Sequence, residues 1–115
     1  MKYRGSCHCG KIAFEAEGEI QDVLECNCSI CQRKGSLLWF IPKSSFTLLT
    51  PEKDMSTYTF NKHFIRHHFC PTCGIHPYAE AADKSGKPMA AINVRSLEGV
   101  EPAAFPRKQF DGRAL

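Results

Sequence analysis

Apolar and polar residues alternate along residues 11–17 (KIAFEAE). Ile12, Phe14 and Ala16 share one face, and Lys11, Ala13, Glu15 and Glu17 the other. A period of two is that of a half-buried strand. Residues 22–26 and 37–41 also read as strands. Residues 45–49, 57–60 and 64–69 continue the series, with Pro, Gly, Asn, Asp and Lys marking the turns. Two later apolar runs, 77–81 and 89–94, look the same. Helical signals are sparse. Ser29 followed by Gln32 has the spacing of a capping box and predicts one or two helical turns just after Cys28. Ala103 and Ala104 suit a short turn, and the tail after Phe110, DGRAL, is expected to fray. The pattern predicts a mainly β domain of short strands with cysteines in its loops. No repeat, low-complexity stretch or linker divides it, so residues 1–115 read as one domain.

Composition narrows this little. A chain of 115 residues buries only about two-thirds of its unfolded surface, so a cross-link would help it. With 43% hydrophobic and 23% charged residues, disorder is not expected along most of the length. The net charge of +3 suits an anionic small molecule and is weak support for nucleic acid. The longest apolar run, LLWFI at 37–41, is far too short to span a bilayer, and the N-terminal MKYRGSCHCG has no apolar core. A cytoplasmic location follows as the expectation. Thiols stay reduced there, so seven cysteines, an odd number, read as metal ligands before disulfides.

The cysteines fall in three groups: CHCG (Cys7, Cys9), CNCSIC (Cys26, Cys28, Cys31) and CPTCG (Cys70, Cys73). A C-x-x-C turn brings two thiolates to one zinc at about 2.3 Å each, and a following Gly relaxes the backbone. Cys7 and Cys9, read as extended, would present both sulfurs on one face and form a second pincer. Pairing the two pincers gives a four-cysteine zinc site that closes a loop of roughly 60 residues. Four thiolates leave zinc no open position, so this site reads as structural.

Cys26, Cys28 and Cys31 are left. Three thiolates on one metal is the pattern of a catalytic or exchangeable zinc, open to water or substrate. Alternatively a histidine closes the site, with His8, His63, His67, His68 and His76 available. Ordinary reduced thiols, or an iron–sulfur cluster lacking its fourth cysteine, are further readings. An open zinc held by three thiolates suits another sulfur, because a coordinated thiol loses its proton. Bound as a thiolate, a substrate could attack an aldehyde carbon.

The order C-x-C-G, C-x-C-S-x-C, F-C-x-x-C-G resembles the glutathione-dependent formaldehyde-activating family, also called the GFA or CENP-V domain family. FIRHHFCPTCGIHPY resembles its stretch around the second pincer, and AAINVRSLEGVEP its later segment. The resemblance implies a β-tent of small antiparallel sheets pinned by zinc. It implies Cys7, Cys9, Cys70 and Cys73 as structural ligands. Cys26, Cys28 and Cys31 would hold a second zinc, completed by the thiol of a substrate such as glutathione, making two zinc ions per chain. The family's reaction joins glutathione and formaldehyde to S-(hydroxymethyl)glutathione, in the carbon–sulfur lyase class.

Other residues carry weaker signals. On a strand over 64–69, His63, Ile65 and His67 would share one face and Phe64, Arg66 and His68 the other. The histidines suit an anion site or a proton carrier; a solvated strand is the simpler reading. Arg33 and Lys34 follow the triplet and either stabilise thiolates or cover a charged helix surface. Asn93 and Arg95 rest on the resemblance alone. Trp39 reads as core, with Trp39 or Phe40 a candidate pocket wall. Lys62, Arg66, Arg107, Lys108 and Arg113 motivate the alternative function, a non-catalytic zinc-stabilised module binding nucleic acid or an acidic protein. A third reading of the triplet is zinc storage or redox sensing.

Overall fold

The computed structural model describes residues 1–114. Ten strands form two sheets. The small sheet has the order β1-β2-β5, from β1 (Lys2–Ser6), β2 (Ala13–Glu17) and β5 (Phe46–Leu48). The large sheet runs β10-β3-β4-β9-β8-β7-β6. Its members are β3 (Val23–Cys26), β4 (Leu38–Pro42), β6 (Ser56–Tyr58), β7 (Arg66–Phe69), β8 (Tyr78–Ala82), β9 (Pro88–Asn93) and β10 (Arg107–Phe110). One helix, α1 (Ser29–Lys34), follows β3, and the other helical pieces are single 3₁₀ turns. Among the described residues no helix is long and apolar enough to cross a membrane.

The mainly β expectation holds, with three corrections to its detail. β1 and β10 were not expected. KYRGS carries polar residues and a glycine, and it becomes a strand by pairing with β2, Lys2 opposite Glu17 through Ser6 opposite Ala13. RKQF is exposed along its whole length and is recruited by β3. That pairing is parallel, so the sheets are not uniformly antiparallel. The tail is also less frayed than its composition suggests. Gly112–Ala114 is a 3₁₀ turn tied to the β3–α1 loop, while Leu115 lies outside the described residues.

The core lies between the sheets. Phe14 and Phe46 from the small sheet meet Tyr78 from the large one, with centroids 5.3 Å (Phe14–Phe46) and 4.4 Å (Phe46–Tyr78) apart. Trp39, Ile41, Ala90 and Ile92 complete that face of the large sheet. Trp39 is therefore core, as its apolar run implied.

Gly5 shows how tightly the sheets meet. It stands opposite Phe14, and a Cβ there would lie 2.4 Å from Phe14 Cζ. The Phe14 ring is fully buried and cannot swing away. Gly5→Ala is expected to cost about 3 kcal/mol, the upper end for an overpacked core. A urea titration against the parent checks this; a midpoint shift worth less than about 1 kcal/mol would show that the ring yields.

Candidate metal centre

Two turns of the same design bring four sulfurs together. After β1, Cys7 N–H donates to the Ile12 carbonyl at 3.0 Å, and Ile12 N–H donates back to Cys7 Sγ at 3.3 Å. After β7, Cys70 N–H donates to the Ile75 carbonyl at 3.0 Å, and Cys70 Sγ accepts from Thr72 N–H and Cys73 N–H at 3.4 Å each. Gly10 and Gly74 close the two turns at φ 85° and 81°, a left-handed region that costs glycine nothing. Cys7 and Cys9 thus converge through a turn, not the extended segment expected from C-x-C spacing.

All four sulfurs, of Cys7, Cys9, Cys70 and Cys73, lie within 4.8 Å of one another. Cys7 and Cys9 sulfurs are 3.8 Å apart, and Cys9 and Cys70 sulfurs 3.5 Å. A tetrahedron with metal–sulfur bonds of about 2.3 Å has sulfur–sulfur edges of about 3.8 Å. The donor set and its spacing therefore fit a metal such as zinc. Burial raises the Cys73 thiol, but the N–H groups of Ile75 and Cys9 outweigh it and bring it down to about 6, toward the thiolate a metal needs. Cys7 and Cys70 share a small second core with Ile12, at the seam where the end of β1 meets the end of β7.

The second group comprises Cys26, Cys28 and Cys31, whose sulfurs also lie within 4.8 Å of one another. Cys26 ends β3, Cys28 caps α1, and Cys31 is buried in the helix. The cap corrects the capping-box expectation. Cys28 Sγ, not Ser29, receives the free N–H of the first turn, from Cys31 at 3.4 Å, while Cys26 Sγ accepts from Cys28 N–H at 3.4 Å. The two N–H···S bonds preset the loop. Burial raises the Cys31 thiol to about 12, with the neighbouring sulfurs adding to it. Among the described residues no histidine nitrogen or side-chain carboxylate oxygen falls within this 4.8 Å group.

The C-terminal turn roofs the triplet. Asn27 Nδ2 donates to Asp111 at 3.0 Å, and Arg113 N–H and Nε donate to the Asn27 side chain and carbonyl at 3.1 and 2.9 Å. Arg113 also reaches Gln32. Gly112 packs so closely that a Cβ there would stand 2.6 Å from Cys26 Sγ. Nothing local marked Gly112; the parallel pairing of Phe110 with Cys26 puts it there.

Other expected site residues divide. Lys34 is half-buried, and its Nζ lies 3.3 Å from His67 Nδ1; Arg33 is exposed and turns back to the Ser29 carbonyl. Burial lowers the Lys34 amine, while the three sulfurs oppose the shift. Burial also drives His67 down to about 4, so near neutral pH its imidazole is uncharged and Nδ1 accepts from the ammonium. His67 and His68 are both buried, against the solvated-strand reading. His68 Nε2 donates to Glu80 Oε1 at 2.8 Å. His63 has left-handed backbone outside any strand and bonds Thr59. Asn93 serves the backbone, accepting from Arg95 N–H and donating to the His76 carbonyl. Arg107 lies on the edge strand β10 and Arg66 on β7, next to the opposite edge of the large sheet, each ion-paired, to Glu25 and Glu80.

The triplet opens into a cavity of about 540 Å³ whose walls include Lys34, Phe40, His67 and Ala91. Phe40, then, is the pocket wall anticipated beside the metal site.

The sequence matches the family described as glutathione-dependent formaldehyde-activating enzyme over residues 2–110. Among solved structures, a crystal structure of a Rhodobacter sphaeroides protein superposes with a TM-score of 0.79 at 30% identity, covering 91% of this chain and 99% of that one. With that match spanning nearly all of its length, the chain belongs to the glutathione-dependent formaldehyde-activating enzyme family.

Proposed function

We propose that the protein is a zinc-dependent carbon–sulfur lyase-type enzyme acting on a thiol adduct of the glutathione–formaldehyde class. Cys7, Cys9, Cys70 and Cys73 act as structural ligands, and Cys26, Cys28 and Cys31 as the catalytic metal site. The observation that carries this reading is the composition of the second group: three sulfurs, no fourth donor among the described residues, and a cavity in front of them. A zinc ion held there would take the substrate sulfur as its fourth ligand and keep it deprotonated.

The chain's own residues then have definite tasks. In the synthetic direction the substrate sulfur's lone pair forms the new bond to the carbonyl carbon. The C=O π pair moves to oxygen, which takes up a proton; cleavage runs the same steps backward. Lys34 shares the cavity wall with the sulfurs and is the cation placed to balance the developing charge. His67 holds the Lys34 amine in position. The roof at Gly112 and Arg113 limits water on the Cys26 side. Seven unbridged thiols suit a reducing compartment such as the cytoplasm.

Metal counting tests the division of labour. The parent is expected to hold two zinc ions. Cys28→Ser is expected to hold one, keep its circular dichroism spectrum, and lose catalysed exchange between glutathione and its formaldehyde adduct, read by NMR. Cobalt-substituted parent should change its spectrum at one site only when a thiol is added. Two thiol-insensitive tetrahedral sites would overturn the reading.

A further inference from the structure

We propose that the cavity beside Cys26, Cys28 and Cys31 binds an aliphatic or aryl group of several carbons, carried by the substrate next to its carbon–sulfur bond. This rests on reading the triplet as the place where the substrate sulfur binds.

The argument starts from strand parity. Across β4, β9, β8 and β7 the register places Trp39, Ile92, Tyr78 and His68 in one row, facing the core. The next row, of opposite parity, is Phe40, Ala91, Ala79 and His67. An antiparallel sheet with one face in water alternates apolar and polar residues. Here the second face is apolar too, and Leu24, Leu38 and Met89 extend it. Among the described residues no element covers its rim: Phe40 is 49% exposed, Ile65 46% and Phe110 41%. Alanines at the middle of the row leave depth instead of filling it. The resulting 540 Å³ falls in the range of small-molecule sites, about 300–1,000 Å³.

Asn61, Glu80 and Asp83 also line the cavity, while Lys34 and His67 are its polar residues on the side of the sulfurs; His67, only 4% exposed, has an Nε2 with no hydrogen-bond partner among the described residues. A ligand suited to this layout is polar at its reacting end and apolar beyond it. Formaldehyde contributes one carbon and would leave most of the apolar wall wet. Ile30 and Lys34 also line a second cleft of about 470 Å³, whose polar residues Arg33, Ser36, His76 and Asn93 offer partners to a charged end of a thiol. The apolar group can therefore come from the thiol or from the carbonyl compound.

Calorimetry on the zinc-loaded protein separates these sources. One series is the 1-alkanethiols from two to six carbons, which carry the apolar group on the thiol. A second is S-methyl-, S-propyl- and S-hexylglutathione, which carry it on the carbonyl side. Affinity is expected to rise about three- to fourfold per methylene in one series or both, and the steep series identifies the source. Ala91→Leu, which fills the middle of the row, should weaken the six-carbon probe at least tenfold at unchanged zinc content. Should that variant misfold, Phe40→Ser at the exposed rim should weaken the same probe in the same direction. A gain below about twofold per methylene in both series overturns the proposal. So does a stable dimer in solution that Phe40→Asp dissolves, with no probe bound, since the face would then belong to a second copy. The 1-alkanols serve as the control for sulfur. If they bind as tightly as the thiols at every length, the apolar cavity stands and the triplet's role in binding sulfur falls.

Discussion

Cys70→Ser is expected to leave the chain without a cooperative unfolding transition at 25 °C. Cys70 is fully buried, accepts two backbone N–H groups and lies 3.5 Å from Cys9, 61 positions away in the chain. The core around it is small, with Cys7 and Ile12 as its other fully buried members. Little else pins the end of β1 to the end of β7. A structural zinc of this type contributes about 10–16 kcal/mol of apparent folding free energy. Whole domains are stable by only about 5–15 kcal/mol. If Cys7, Cys9, Cys70 and Cys73 hold zinc as proposed, losing one of the four removes a term as large as the net stability. Far-UV circular dichroism, urea titration and metal analysis of the variant check this. Unfolding within about 1 kcal/mol of the parent would show that the packed sheets hold without the clamp. Cys28→Ser is expected to behave in the opposite way, losing metal and keeping the fold.

An effect as large as that of Gly5→Ala, but dependent on pH, is expected at Glu80. This carboxylate is buried in the large sheet, where Oε1 accepts from His68 at 2.8 Å and Oε2 from Lys43 at 2.5 Å, with Arg66 at 3.3 Å. Tyr78 is the other titratable group on its strand, pushed up chiefly by burial and further by the Glu80 charge. The His68 hydrogen bond, with Lys43 behind it, overcomes burial and holds Glu80 down to about 2 from 4.5. A depressed acid stabilises the fold above its unfolded pKa, and the contribution fades as pH falls through the folded value. The drop from 4.5 to about 2 corresponds to about 3 kcal/mol at neutral pH. Glu80→Gln should therefore lower the Tm by roughly 10 °C at pH 7. The gap between parent and variant should close between pH 4.5 and 2. The narrowing is followed from pH 7 down to the pH at which metal analysis first finds zinc leaving, since loss of the proposed clamp would end cooperative unfolding in both proteins. A gap that stays constant with pH would mean that the carboxylate's charge contributes nothing.

Legibility in the sequence differed sharply between elements. Eight of the ten strands follow from alternation or from short apolar runs between turn residues, because such local patterns do not depend on what the strand pairs with. β1 and β10 do not follow, because KYRGS and RKQF are strands only through their partners. The expected strand over 64–69 begins only at Arg66, after left-handed residues at Asn61 and His63. Burial of His68 depends on a carboxylate 12 positions away, and no local pattern reports that.

By itself the sequence determined the C-x-x-C-G turn and the family. C-x-x-C-G closes through hydrogen bonds within five residues, so spacing suffices to specify it; C-x-C-G closes the same way, but its spacing alone pointed to an extended pair. Only the tertiary structure decided what surrounds the triplet. The run LLWFI is apolar at both parities, so its sequence could not say which side meets the core. Pairing of β4 with β9 turned Trp39 inward and Phe40 toward the cavity. Pairing of β10 with β3 laid Gly112 against Cys26 across 86 positions of chain. Register and long-range pairing are set by the whole packed core, and a one-residue slip would exchange the two faces.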